Sequence, residues 1–170
     1  VIKHLPGHGR GAVDSHKELP RVVADLATLR GQDFAAFRPL RHLPLGMSAH
    51  VVYSAIDPDS PGTVSAPVIE TLVRGDIGFD GFLFTDDISM QALQGSLAER
   101  AGAAIAAGCD AVLHCSGVLS EMVEVAGAVT GLSQSADTRW TRARAARHKP
   151  EGADIDALAA ALVAQFQDGT

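Results

Sequence analysis

Gly81-Phe82-Leu83-Phe84-Thr85 is a short, apolar and aromatic run that stops abruptly at two carboxylates, Asp86-Asp87. A run of this length reads as a strand buried on both faces. Charged groups are rarely set at the edge of a core without use, so the pair also marks a site. A cap on the next turn accounts for one of the two carboxylates, but not readily for both.

Three other segments repeat this pattern of apolar run and polar end. Val1-Ile2 leads into Lys3-His4, Leu45-Gly46-Met47-Ser48-Ala49-His50-Val51 carries His50, and Ala111-Val112-Leu113-His114-Cys115 carries His114. Helical spacing fills the intervals. Leu19, Val22, Val23, Leu26 and Leu29 predict a helix over 19–29 with Pro20 in its first turn. A short helix over 33–37 is expected with Asp33 as its cap, and Ser65-Ala66-Pro67 opens one that runs to Arg74. Alanine-rich 97–107 ends at Gly108, and 119–129 is followed by Gly131.

Strands alternating with helices mean right-handed crossovers and a parallel sheet. A doubly wound sheet would gather its ligand groups at one switch point, whereas polar groups after every strand favour a (β/α)₈ barrel. The expected fold is therefore α/β: about four βα units over residues 1–132, forming the C-terminal half of a TIM barrel. A helical extension over 133–170 follows, with a basic helix over 138–148, a break at Pro150 and an amphipathic helix over 155–166. Half a barrel has two unpaired edge strands and an uncovered apolar inner face. An N-terminal half-barrel outside this chain is expected to complete it, and Val1-Ile2, opening inside a strand, fits a fragment.

The 170 residues suit one domain, and 46% hydrophobic residues can build its core. A net charge of −6 with no basic run argues against nucleic acid or an anionic membrane as partner. Cys109 and Cys115 form no CxxC pair and read as buried reduced thiols, compatible with a cytoplasmic protein.

The densest chemistry follows the first strand: Lys3-His4-Leu5-Pro6-Gly7-His8-Gly9, then Asp14-Ser15-His16. Pro6, Gly7 and Gly9 break regular structure and open a loop. Asp14 and His16 flank one residue, so in an extended segment both side chains point the same way. The carboxylate can then fix the tautomer of the ring. A loop of surface histidines is the plain alternative, and the density of groups argues against it. A histidine on a glycine-bounded loop and a carboxylate, Asp86, on a rigid strand end are the acid/base and nucleophile that glycosidases use. Retaining enzymes hold such a pair about 5 Å apart.

These residues resemble a known family. K-H-L-P-G-H-G-x4-D-S-H, then M-S-A-H, then F-T-D-D-I-S-M is similar to bacterial β-N-acetylglucosaminidases (β-N-acetylhexosaminidases) of glycoside hydrolase family 3. Those enzymes remove N-acetylglucosamine from muropeptides in cell-wall recycling. The resemblance covers roughly residues 1–131, and the Asp-Ser-His ending separates this branch from the β-glucosidases of the family. It implies Asp86 as nucleophile, His16 as acid/base and Asp14 as its dyad partner. It further implies that Lys3 and His4 bind sugar hydroxyls, that His50 lines the sugar pocket, and that His8 and Asp87 support the loop and strand end. Arg10 and Gly11 receive no role. Gly7, Gly9 and Gly11 suggest a loop that closes to deliver His16. The implied protein is a cytoplasmic monomer acting on a sugar or muropeptide, with no cofactor or metal.

Three alternatives stand beside this reading. A neutral histidine repels phosphate less than a carboxylate would, so phosphorolysis on the same site is open. A metal-dependent hydrolase could use His4, His8, Asp14, His16, His50 and Asp86, although no two of these histidines have the spacing to face a metal from one element, and Lys3 adds a positive charge. A sugar-binding module completed by a partner is the non-enzymatic reading.

Overall fold

A computed structural model describes residues 1–148 and 152–167. It contains six short strands: β1 (Ile2–Leu5), β2 (Arg21–Val22), β3 (Leu45–Ser48), β4 (Val52–Tyr53), β5 (Phe82–Asp87) and β6 (Ala111–Leu113). β1, β3, β5 and β6 form one sheet in that order, each parallel to its neighbour. β2 and β4 pair as a separate parallel ladder. The α/β class and the parallel, sequentially ordered main sheet agree with the sequence reading. Because chain order is sheet order, the C-terminal strand ends fall along one edge, with Leu5 beside Ser48 and Asp87 beside Leu113.

The main core lies between the sheet and the helical segments over 26–40 and 68–76. Leu5, Leu29, Phe34, Tyr53, Ile69, Leu72, Ile77, Phe79 and Leu83 are almost fully buried there. Gly46 permits the closest approach, because a Cβ at that position would sit 2.7 Å from both Leu5 Cδ1 and Phe79 Cζ. A smaller cluster of Ile88, Leu93, Ala101 and Val125 joins the Leu97–Ala106 and Leu119–Ala128 helices. Ser96 and Glu99 form a reciprocal capping box at the start of the first of these. Ser65 precedes the helical run that starts at Ala66, and its Oγ accepts from the Val68 amide at 3.4 Å.

Three expectations need correction. The segment 19–29 is not one helix. The Pro20 and Val22 carbonyls accept from the Val52 and Ser54 amides, so the chain here enters the β2–β4 ladder. Val23 is consequently 80% exposed. Helical turns begin only at Leu26, capped by Asp25 Oδ1, which accepts from the Thr28 amide at 2.9 Å, and they continue to Leu40. Asp33 lies inside those turns and caps nothing. Cys115 is exposed, whereas Cys109 is buried and its thiol is pushed up to about 12 by that burial.

The basic helix spans Gln134–Ala145 and starts at a Ser133 cap, earlier than the periodicity suggested. The expected break at Pro150 lies outside the described residues. Trp140 packs on Phe82 with ring centroids 5.3 Å apart, and Arg142 bonds Asp80. Asp110 sits at the centre of this seam. Its Oδ2 accepts from Arg74 at 2.9 Å and from the Leu83 amide at 2.8 Å, while Oδ1 accepts from Arg139 at 2.9 Å. Asp110→Ala would leave the buried Leu83 amide without its acceptor and take the shared carboxylate from Arg74 and Arg139, which keep only the Phe79 and Gly81 carbonyls and Asp80. It is expected to destabilise the protein by about 3 kcal/mol, read from urea denaturation. A loss under about 1 kcal/mol would mean that water replaces the carboxylate.

Candidate active site

The loop after β1 is moored at two points. Gly7 has φ +150°, and its carbonyl accepts from the buried Tyr53 hydroxyl at 2.8 Å. Arg10, which carried no expected role, donates through Nε to both Asp33 oxygens at 3.0 and 2.8 Å and through Nη2 to Gln32 Oε1 at 2.6 Å. These contacts tie the loop to the 26–40 helical segment. Ser15 is buried, while its neighbours Asp14 and His16 face solvent.

Asp14 and His16 form the expected pair. Asp14 Oδ1 lies 2.8 Å from His16 Nδ1 and accepts from the His16 amide at 3.0 Å. A carboxylate only accepts, so Nδ1 carries the proton and Nε2 is left free. The His16 amide and ring together hold the Asp14 carboxyl below its usual value. A folded-state pKa lowered in this way leaves the pair intact above the usual aspartate range. The pair is lost only as pH falls through the lower folded value. A carbon-13 titration of the Asp14 carboxyl is expected to show a midpoint below that of a peptide aspartate; an unshifted midpoint would mean that the pair does not persist in solution.

Asp86 is the penultimate residue of β5 and lines the same cleft. Its Oδ1 accepts from the Asp87 amide at 2.9 Å, and Oδ2 lies 3.4 Å from His4 Nε2. Burial pushes the His4 imidazolium below its usual range against the pull of Asp86, and Lys3 adds to the downward shift. His4 also meets His8 edge-on, with ring centroids 5.7 Å apart. Lys3, His4, His8, Gly9, Asp14, Ser15, His16 and Asp86 line one cleft of about 500 Å³. No hydrogen bond or ion pair joins His16 to Asp86, and the His16 side chain is 75% exposed.

Six of the eight residues singled out in the sequence therefore share one cleft, and two do not. Asp87 turns away from it. Its Oδ1 accepts from the Ser89 amide at 3.0 Å and the Cys115 amide at 3.1 Å, and its Oδ2 accepts from Ser89 Oγ at 2.6 Å. Burial pushes the Asp87 carboxyl up, but these donors outweigh it and hold the group low. Asp87 thus fastens the loops after β5 and β6 to each other.

His50 is corrected outright: it does not line the pocket. The ring is fully buried and both nitrogens are engaged, Nδ1 with Thr63 Oγ1 at 2.8 Å and Nε2 with the Asp87 carbonyl at 3.0 Å. Ser48 Oγ meets Thr63 Oγ1 at 2.7 Å. The M-S-A-H motif contained both Ser48 and His50; nothing in the sequence drew attention to Thr63.

Among the described residues, no group of three or more His, Cys, Asp or Glu side chains is placed to hold a metal ion. No helix among them is long and apolar enough to cross a membrane.

Residues 1–144 match the model of the glycosyl hydrolase family 3 N-terminal domain. The β-hexosaminidase of Alkalilimnicola ehrlichii is 48% identical over 120 residues, which cover 68% of this chain and 34% of that protein. The β-hexosaminidase of Pseudomonas aeruginosa is 35% identical, covering 98% of this chain and 52% of its own length. The structure of NagZ from Neisseria gonorrhoeae in complex with N-trifluoroacetyl-D-glucosamine superposes with a TM-score of 0.70 at 35% identity, over 82% of this chain and 40% of that one. The chain thus spans about a third to a half of the length of these relatives.

Proposed function

Because this chain belongs to glycosyl hydrolase family 3, we propose that it carries the catalytic centre of a retaining β-N-acetylhexosaminidase. The substrate is a terminal β-linked N-acetylglucosamine, with muropeptides of cell-wall recycling in the cytoplasm as its source. The observation that carries this reading is the one cleft lined both by the loop-borne Asp14–His16 pair and by Asp86 near the end of β5. The β-hexosaminidase relatives and the N-acylated glucosamine bound by the gonococcal NagZ support the choice of sugar.

The chemistry follows from which atoms are free. His16 acts as the imidazolium held by Asp14 and gives its Nε2 proton to the glycosidic oxygen while the Asp86 carboxylate attacks the anomeric carbon. The C–O bond to the leaving group breaks as the ester to Asp86 forms. Water then loses a proton to His16, attacks the same carbon and releases the sugar with its β configuration. Lys3 and His4 hold sugar hydroxyls at the mouth, with His8 packed behind His4. His4, neutral through burial, sets no full positive charge against the attacking carboxylate. His16 stands apart from Asp86 in the present conformation, so we assign the loop a closing step that brings the acid to the bond.

We also propose that the four parallel units are the C-terminal half of a (β/α)₈ barrel. Supporting this, β1 and β6 each pair on one side only within the main sheet, and Leu45, Met47 and Phe84 are only half-buried. A segment N-terminal to this chain would supply the remaining strands and further sugar contacts.

Proton NMR of the first-formed sugar tests the mechanism. Release of the β anomer is expected, together with labelling of the Asp86 peptide by a 2-deoxy-2-fluoro glycosyl donor. First release of the α anomer, or labelling elsewhere, would overturn the assignment.

A further inference from the structure

We propose that Thr63 is a positioning residue for the nucleophile, acting through a buried relay from Ser48 to Thr63 to His50 to the backbone of Asp87. The inference rests on Asp86 being the nucleophile. Ser48, Thr63 and His50 are 0% exposed, so no solvent stands in for a missing partner. One fixed point sets the direction of the whole chain. The Asp87 carbonyl can only accept, so His50 Nε2, 3.0 Å away, carries the proton. Burial pushes the His50 imidazolium below its usual range, and the ring is neutral, which makes Nδ1 an acceptor. Thr63 Oγ1, 2.8 Å from Nδ1, therefore donates to it and accepts in turn from Ser48 Oγ at 2.7 Å.

The far end of the relay is the nucleophile. Asp87 is clamped at its carbonyl by His50 and at its carboxylate by Ser89 and Cys115. With both ends held, its N–H is aimed at Asp86 Oδ1, 2.9 Å away. The nucleophilic carboxylate thus takes its orientation from a hydroxyl that does not line the cleft. Thr63 sits in the single helical turn Gly62–Val64, which brings it under β3 after the chain has left β4. No catalytic motif includes it.

The test has two independent arms, both on the full-length protein. Long-range nitrogen-15 NMR of the wild type reads the His50 tautomer directly, and needs no variant and no activity. The Nε2–H form is expected; a dominant Nδ1–H form would overturn the relay. The second arm is kinetic, with a nitrophenyl β-N-acetylglucosaminide. Thr63→Val keeps the shape but removes the donor, and kcat is expected to fall about 10- to 100-fold with KM little changed. Thr63→Ser, which restores the hydroxyl, is expected to recover kcat to within about 3-fold of wild type. A folded Thr63→Val with wild-type kcat, or a Thr63→Ser no better than Thr63→Val, would overturn the positioning role. A wild type without glycosidase activity would overturn the functional reading, and with it the kinetic claim. The tautomer measurement would still judge the relay itself.

Discussion

Asp86→Ala is expected to lose about 10⁴-fold or more of the hydrolysis of an N-acetylglucosaminide, with KM little changed. The substitution removes the atom that bonds to the anomeric carbon. The Asp87 amide at 2.9 Å and His4 at 3.4 Å would remain, but they can neither donate an electron pair to that carbon nor carry the glycosyl group. The vacated space admits a small anion. Added azide is therefore expected to restore turnover with the nitrophenyl substrate and to give the α-glycosyl azide, since it attacks from the face that Asp86 uses. Rescue with an α product identifies a nucleophile by what replaces it. Full activity in Asp86→Ala would overturn the nucleophile assignment.

His16→Ala is expected to lose about 10²- to 10⁴-fold on a natural β-linked disaccharide, and much less on the nitrophenyl substrate. The difference carries the information. A nitrophenolate leaves without a proton, whereas a sugar alkoxide does not, so the loss should shrink as the leaving group improves. Asp14→Asn extends the argument. Asp14 holds a proton of His16 on Nδ1 and so stabilises the imidazolium that acts as acid; an amide in its place can hold either tautomer and no longer supplies the charge that stabilises that acid. Its defect should follow the leaving group in the same direction, only more weakly. A His16→Ala loss of equal size on both substrates would argue for a structural role of the loop instead. Neither variant should greatly reduce thermal stability, because both side chains are exposed.

By itself, the sequence determined the alternation of strands and helices, the strand-end location of the chemistry, and the Asp14–His16 pair. Each is a local property. A short apolar run cut off by Asp86-Asp87 names its own boundary. Two polar residues one position apart can pair within a few residues of chain, here in a turn that the His16 amide closes on Asp14 Oδ1. The reading failed where two signals overlap, as in 19–29, whose apolar residues suit a helix but whose carbonyls pair with β4. A partner 30 residues further on cannot be read from spacing.

Only the tertiary structure decided the roles of His50, Thr63, Arg10 and Asp110. His50 lies at a strand end, as a ligand-binding histidine would, yet Thr63 and the Asp87 carbonyl occupy both its nitrogens and turn it from a pocket residue into a support. Arg10 received no role until the fold set Asp33 beside it, and Asp110 was not singled out in the sequence; its role comes from the two arginines and the Leu83 amide that converge on it. In each case the deciding fact is the partner. A buried donor or acceptor must find one within about 3 Å, and which residue lies within that distance is fixed by how distant segments pack.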